Sequence, residues 1–474
     1  MSHTASLNEK ALASEKLHDV DLVSPEYQQD VESSGAQHGT LKRQLKNRHI
    51  AMISIGGVIG TGLFLGTASS LQNGGPIGLL LGYTVVGTIC YSVMVSLGEM
   101  VAYLPIPGGH IKLAERFVDP AFSFVMGWNY WYNWAIILPA ELSAAAVLIN
   151  YWNHTVNNAA WITICLVVVV IINMFGAGVY GECEFIFASI KVITITGLII
   201  LGIVLDLGGG PNHDRIGFRY WKHPGPFAQF NGISGSKGQF LGWWAVMTQA
   251  AFSFIGTEIV AIAAGEAKNP RRNLPKAIKR VYVRILLFYI GGVTIIGLLV
   301  PYTDEGLNLK VSNAGKSPFV IAINHAGIKG LPSVINAALL TSAWSAASSD
   351  LYTSSRALSI AGLMTWFGIS FTYIRFHKGF KVQGYDRSKL PYASKLQPFA
   401  AWYAMIACLV ICFFSGWQVF LRDSWDTANF VTNYLPLALF PVLYIGAKLW
   451  RRTPVVKPAD MDFVSGLAEI EADW

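Results

Sequence analysis

Charge is scarce in this sequence. Asp, Glu, Lys and Arg make up only 13% of its 474 residues, where a soluble domain carries about 25%. What charge there is gathers between long apolar runs, which excludes an ordinary water-soluble core. Hydrocarbon offers the backbone no hydrogen-bond partner, so only helices or a closed barrel can cross it. The alternating segments of about ten residues that build a membrane barrel are missing as well. The remaining fold class is an all-α integral membrane protein. Cysteine is sparse too: Cys90, Cys165, Cys183, Cys408 and Cys412 lie in or beside apolar runs and lack the paired spacing of a zinc site. They read as small buried hydrophobes, so neither a metal nor a cofactor is expected. No nucleophile–base pairing stands out, which argues against an enzyme. The basic surplus of +7 flanks the apolar runs, as the positive-inside bias requires, and forms no face for nucleic acid.

Residues 1–41 are rich in Ser, Glu, Asp and Gln and show no apolar periodicity. They cannot bury a core and are expected to form a disordered cytoplasmic tail, without a signal-peptide pattern. Lys42, Arg43, Lys46 and Arg48 then set the start of the first run in the cytoplasm. A transmembrane domain is expected over 42–450 and a second cytoplasmic tail over 451–474. About eleven apolar runs fill that domain, near 49–71, 77–104, 121–150, 159–180, 185–206, 239–264, 281–302, 332–350, 359–374, 398–420 and 429–449. Each approaches the roughly 20 residues a helix needs to cross the hydrocarbon core. Lys268, Arg271, Arg272, Lys276, Lys279 and Arg280 follow the sixth run and fall in the cytoplasm, as the count demands. The count then fails. With eleven spans, Arg375, Lys378, Lys381, Arg387 and Lys389 land outside, and so do Arg451 and Arg452. One more span between 350 and 360 repairs both, and the sequence has none there.

Two runs break the rules for a lipid-facing helix. The first contains Gly56-Gly57-Val58-Ile59-Gly60-Thr61-Gly62, and each glycine costs a helix interior about 0.8–1.0 kcal/mol against alanine. The cluster invites local unwinding, with free amides and the positive end of a half-helix facing an anion such as a carboxylate. A tight packing surface of small residues is the alternative. The sixth run carries Phe252-Ser253-Phe254-Ile255-Gly256-Thr257-Glu258, with an ionisable side chain at mid-span and a second break point at Gly256. Interrupted helices one and six, five spans apart, suggest inverted five-helix repeats sharing one site. Lys191 in the fifth run is a candidate proton carrier or stand-in for a sodium ion, unless it snorkels to the interface. Glu141 in the third can pair with a cation or take up a proton, or serve as a structural carboxylate, and Glu258 can bridge its own break. Phe252, about one turn before Gly256, suits a lid over a substrate or a place in the core. Glu99, near the end of its run, supports only a structural role.

Further stretches complete a pattern: Ile55 to Phe64 (IGGVIGTGLF), Met126 to Trp131 (MGWNYW), Gly181 to Phe185 (GECEF), Gly265 to Arg272 (GEAKNPRR), Thr341 to Ala346 (TSAWSA) and Ala361 to Gly368 (AGLMTWFG). In this order and spacing, from about Leu41 to Asp462 and Phe463, they resemble the fungal amino acid permeases of the amino acid–polyamine–organocation superfamily. The resemblance implies proton-coupled uptake of amino acids at the plasma membrane by alternating access. It implies an amino acid, protons and the lipid bilayer as partners. Carried over by motif, Gly60, Thr61 and Gly62 look like the amides that hold the substrate carboxylate. Backbone at Phe254, Ile255 and Gly256 looks like the site for the α-ammonium. Phe252 resembles an aromatic gate, and Lys191 the fifth-span lysine that takes the place of a sodium ion. Ser348 to Arg356 (SSDLYTSSR) is similar to the dicarboxylic amino acid permeases, which implies acidic substrates.

The sequence departs from the family at one point. Family members pass from the motif ending here in Ser355-Arg356-Ala357-Leu358 through a cytoplasmic loop and a ninth span, for twelve spans in all. Here Ala361 to Gly368 follow almost at once. The second repeat therefore lacks one helix, where the charges demand it. A proton-coupled importer is the leading expectation. A receptor that binds amino acids without moving them, or an inactive truncated permease, stays open.

Overall fold

A computed structural model of the chain describes residue 52 and residues 59–106, 108–152, 155–259, 270–308, 317–356, 362–421 and 425–465. All of them belong to the compact unit Arg43–Trp474. The tail 1–41, the motif residues Gly56-Gly57-Val58, the basic residue Lys268 and the junction 357–361 lie outside the described residues, as does the tail beyond 465.

Among the described residues every regular element is helical. A π-helical turn Gly62–Gly66 leads into α1 (Thr67–Tyr103). α1 is two helices in one: at Gly75 (φ 69, ψ 178) the backbone leaves the helix, and Pro76 opens the second arm. A side chain at Gly75 would lie 2.7 Å from the Ala228 amide, so glycine is required for the reversal. α2 (Gly109–Phe117) and α3 (Pro120–Ile149) follow. Asp119 caps α3 by accepting from the Phe122 amide at 2.8 Å, the bond that satisfies one of the orphan N–H groups of a helix start. Its other oxygen takes Tyr444 and Lys448, 2.9 Å each, from the far end of the chain. The remaining long helices are α4 (Asn158–Met174), α5 (Gly176–Asp206), α6 (Gly235–Phe254) and α7 (Pro270–Arg284). α7 continues through the π-turn Ile285–Ile290 into α8 (Gly291–Leu299). Beyond them come α9 (Pro318–His325), α10 (Leu331–Arg356), α11 (Gly362–Val382), α12 (Phe399–Phe413) and α13 (Thr427–Arg451).

Among the described residues, four stretches are both long and apolar enough to cross a membrane: Gly62–Tyr103, Pro120–Ile149, Val179–Asp206 and Pro275–Leu299. α4 and α12 are apolar but shorter. Large apolar side chains on α4 and α5 face outward, Ile193 being 71% exposed and Val167 51%. Such a surface is costly in water and natural against lipid tails. Two groups of helices make the interior. Both arms of α1 pack along α6, where Ser70 bonds Gln249 and Tyr83 bonds Ser253, 3.0 Å each, and α7 and α8 lie against them. α10 packs on α3, α4 and α5.

α10 and α11 have an unusual relationship. On α10, Asn336 bonds the Leu148 carbonyl, near one end of α3, and Ala346 lies beside Gly60 and Glu141, further along it. On α11, Gly368 meets Met126, Phe371 meets Phe122 and Arg375 donates to the Phe117 carbonyl. Both helices therefore run antiparallel to α3 and so in the same direction as each other, although only five residues join them. Consecutive spans must alternate in direction. α11 carries Arg375 to the Phe117 carbonyl, beside the end of α3 that holds Asp119.

Candidate functional site

The first break spans Ile59 and Gly60, which belong to no helix; helix resumes at Thr61. Ser342 on α10 donates to the Ile59 carbonyl at 3.1 Å, giving the released group a partner. At the second break α6 stops at Phe254, Ile255 is extended (φ −58, ψ 144) and Gly256 is left-handed (φ 92). A β-carbon in that region costs roughly 1–2 kcal/mol. Side chains satisfy the freed carbonyls: Tyr289 donates to Ser253 O at 2.9 Å and Thr257 to Phe254 O at 2.7 Å. Arg284, fully buried, donates to the Thr257 hydroxyl at 2.8 Å.

Between the two breaks lies a cavity of about 40 Å³ whose walls include Gly60, Gly62, Glu141, Phe252, Gly256 and Asp350. That is room for a water molecule and too little for an amino acid, so admission of a solute requires the walls to move. Phe252, 42% exposed, borders the cavity. The start of the helix at Thr61 directs a positive dipole end to this point, and the end of α6 a negative one.

The predicted residues divide between the cavity and its supports. Gly60, Gly62, Phe252, Ile255, Gly256 and Glu141 line the cavity together. Thr61 stands behind it, donating to both oxygens of Glu141 at 3.1 Å. The Phe254 ring points away, stacked on Tyr289 with centroids 4.4 Å apart. Glu258 is fully buried beside the break, takes the Trp366 indole N–H at 3.0 Å and feels the charge of Arg284. Lys191 does not snorkel: it is 1% exposed and interacts electrostatically with Glu184, Glu141 and Asp350. Glu99 is held by Tyr373, Arg387 and the Ser394 amide, far from the cavity, in keeping with a structural role. Sequence reasoning missed Asp350, Glu184 and Arg284. All three are ionisable residues within or at the end of an apolar run, the signal that singled out Glu258. Position near the run ends hid them.

The fold defines a multi-pass membrane protein with a small cavity between two interrupted helices. The chain belongs to the amino acid permeases: the model of the family described as "Amino acid permease" matches residues 49–362 and 357–458. The proline-specific permease of Emericella nidulans is 39% identical, over 92% of this chain and 90% of its own length. The dicarboxylic amino acid permease of Saccharomyces cerevisiae is 38% identical, over 89% and 79%. The lysine-specific permease of the same yeast is 38% identical, over 96% and 82%. Members of this family carry amino acids through the bilayer and are transporters rather than enzymes. Relatives named for proline, acidic and basic substrates are equally similar, so identity does not choose among side chains.

The family match falls into two pieces that meet at 357–362. The alignment to the Emericella nidulans permease runs over 497 positions, whereas 92% of this chain is about 436 residues. About 60 positions thus have no residue here. That is the length of a loop and a span.

Proposed function

We propose that this chain is a symporter that brings amino acids into the cell across the plasma membrane by alternating access, driven by protons. The observation that carries the reading is the cavity between the two helix breaks. Once its walls have moved apart, its two ends suit a zwitterion. Its carboxylate faces Gly60, Thr61 and Gly62 at the positive start of a helix, and its ammonium faces the carbonyl end of α6 at Phe254, Ile255 and Gly256. Phe252 closes over it. What weighs against a dicarboxylic substrate is the wall itself, where Glu141 and Asp350 would repel a second carboxylate.

Proton coupling is assigned to the buried charges Lys191, Glu258 and Glu141. Lys191 is the first to test, since its ammonium is buried and makes no hydrogen bond. Lys191→Met is expected to flatten the pH dependence of uptake while the protein still reaches the surface. Unchanged pH dependence removes Lys191 from the coupling role. The overall reading is tested by uptake of labelled proline, lysine and glutamate in permease-deficient yeast, at acid pH with and without a protonophore. Protonophore-sensitive uptake supports it.

A receptor that binds without transport is a second reading, favoured by one observation: the relatives carry about 60 positions that this chain lacks. Binding of a labelled amino acid by surface-expressed protein, with no flux, would select it.

A further inference from the structure

We propose that Asp350 is the proton-carrying carboxylate of the cavity. The proposal rests on the symport reading above and deepens it by naming where the coupled proton sits. Asp350 stands on α10, is 3% exposed and lines the cavity with Gly60, Gly256 and Glu141. Its Oδ2 is buried and makes no hydrogen bond among the described residues. The other carboxylate on the wall is different, because both oxygens of Glu141 accept from Thr61.

The charges around Asp350 can be followed element by element. From α3 come Glu141 and Tyr130, whose electrostatics Asp350 shares. From α5 come Lys191 and Glu184, with Tyr180 bonded to the adjacent Ser349 at 3.0 Å. α4 offers Cys165, held by Trp344 further up α10, and Glu258 lies across the second break. Among the described residues Lys191 is the one cation facing three carboxylates, Glu184, Glu141 and Asp350. One cation cannot balance three carboxylates, so two negative charges are left over when all three are ionised. A zwitterionic amino acid adds no net charge and cannot neutralise them, and a buried charge without a partner is strongly unfavourable.

Thr61 already steadies the charge of Glu141, whereas Asp350 Oδ2 has no such donor, so a proton on Asp350 relieves the less compensated of the two charges. The cavity that Asp350 lines has room for a water molecule, and the proposal requires such a water to hand the proton to the buried Oδ2. The step is a simple one. A proton from water bonds to Oδ2 on the outward side, giving a neutral acid whose O–H can donate to the substrate. On the cytoplasmic side that O–H bond breaks, the proton leaves to water and the carboxylate returns.

The test compares the wild-type full chain with Asp350→Asn in proteoliposomes, using labelled proline, lysine and glutamate as probes. Two processes are measured: accumulation under an imposed pH gradient, and exchange of internal for external label at equal pH. Asparagine copies the neutral acid but cannot release a proton. Exchange should persist within about threefold, while accumulation against the gradient is lost. Glu141→Gln should not give this split. Accumulation by Asp350→Asn as in the wild type would overturn the proposal, and so would the split appearing in Glu141→Gln instead. Loss of exchange from a well-folded Asp350→Asn also overturns it, making Asp350 a structural or substrate-holding group. Should the wild type bind a probe but move none, the symport reading fails by itself. Asp350 is then decided by binding: the proposal requires Asp350→Asn to remove the pH dependence of probe-induced thermal stabilisation, and persistence of that dependence overturns it.

Discussion

Thr61 gives its one hydroxyl hydrogen to Glu141, standing 3.1 Å from each carboxylate oxygen. The contact ties the point where the first span unwinds to the middle of α3, one of the helices against which α10 packs. The glycine-rich backbone and the acidic wall of the cavity are thereby held in one arrangement.

Loss of that hydrogen bond should be visible in transport. A hydrogen bond to a charged group contributes about 1.5–3 kcal/mol, so Thr61→Val should weaken apparent substrate affinity roughly tenfold or more. Thr61→Ser keeps the hydroxyl and should behave nearly as wild type. Concentration-dependent uptake of labelled proline and lysine checks both, and wild-type affinity in Thr61→Val would show that the hydrogen bond to Glu141 is not needed.

The glycines make a sharper test, because one of them serves as control. A β-carbon at Gly60 would stand 3.0 Å from Glu141 Oε1, and one at Gly62 would stand 2.8 Å from Ser253 Oγ and 3.2 Å from its Cα. Gly66 in the same turn has open space. Gly60→Val should abolish binding and Gly62→Ala should lower it strongly, with Gly66→Ala nearly silent. Normal affinity in Gly60→Val would remove this segment from the carboxylate site.

Glu99 anchors the loop after α11. Fully buried, it accepts from Tyr373 at 2.6 Å, from Arg387 Nε at 3.1 Å and from the Ser394 amide at 2.5 Å. Arg387→Ala leaves that carboxylate without its cation and should cost about 3 kcal/mol, read as a lower melting temperature in detergent and less protein at the surface. Replacing both charges, Glu99→Leu with Arg387→Leu, should cost less than the single change, because no buried charge is then left alone.

The junction between α10 and α11 makes a prediction at the level of the transcript. Sequencing messenger RNA across the codons for Leu358 and Ser359 should reveal a form with about 60 further codons, the number of positions by which the relative's alignment exceeds this chain. That form should transport at a higher rate than the chain described here. A transcript population without such an insertion would make the same-direction pair of helices the chain's own architecture.

Much of this protein follows from the sequence alone. The deficit of charge and the length of the apolar runs determined the membrane class, since a lipid phase leaves the backbone no other way to satisfy its polar groups. Gly60, Gly62 and Gly256 announced the two breaks, because glycine clusters are poor helix formers wherever they occur. The alternation of basic loops pointed to a span too few near 350–360, and α10 and α11 run in the same direction on either side of that junction. Only the tertiary structure decided which charges meet. Lys191 could snorkel or be buried as far as its neighbours in sequence told; packing of α5 on α10 buries it against carboxylates from three helices. Asp350 looked like part of a motif near the end of a run, and it became a cavity wall only because α10 lies across both breaks. Helix periodicity is a local property that a window of sequence records. The company of a buried charge depends on contacts between residues far apart in the chain, such as Thr61 with Glu141, and those exist only once the helices have packed.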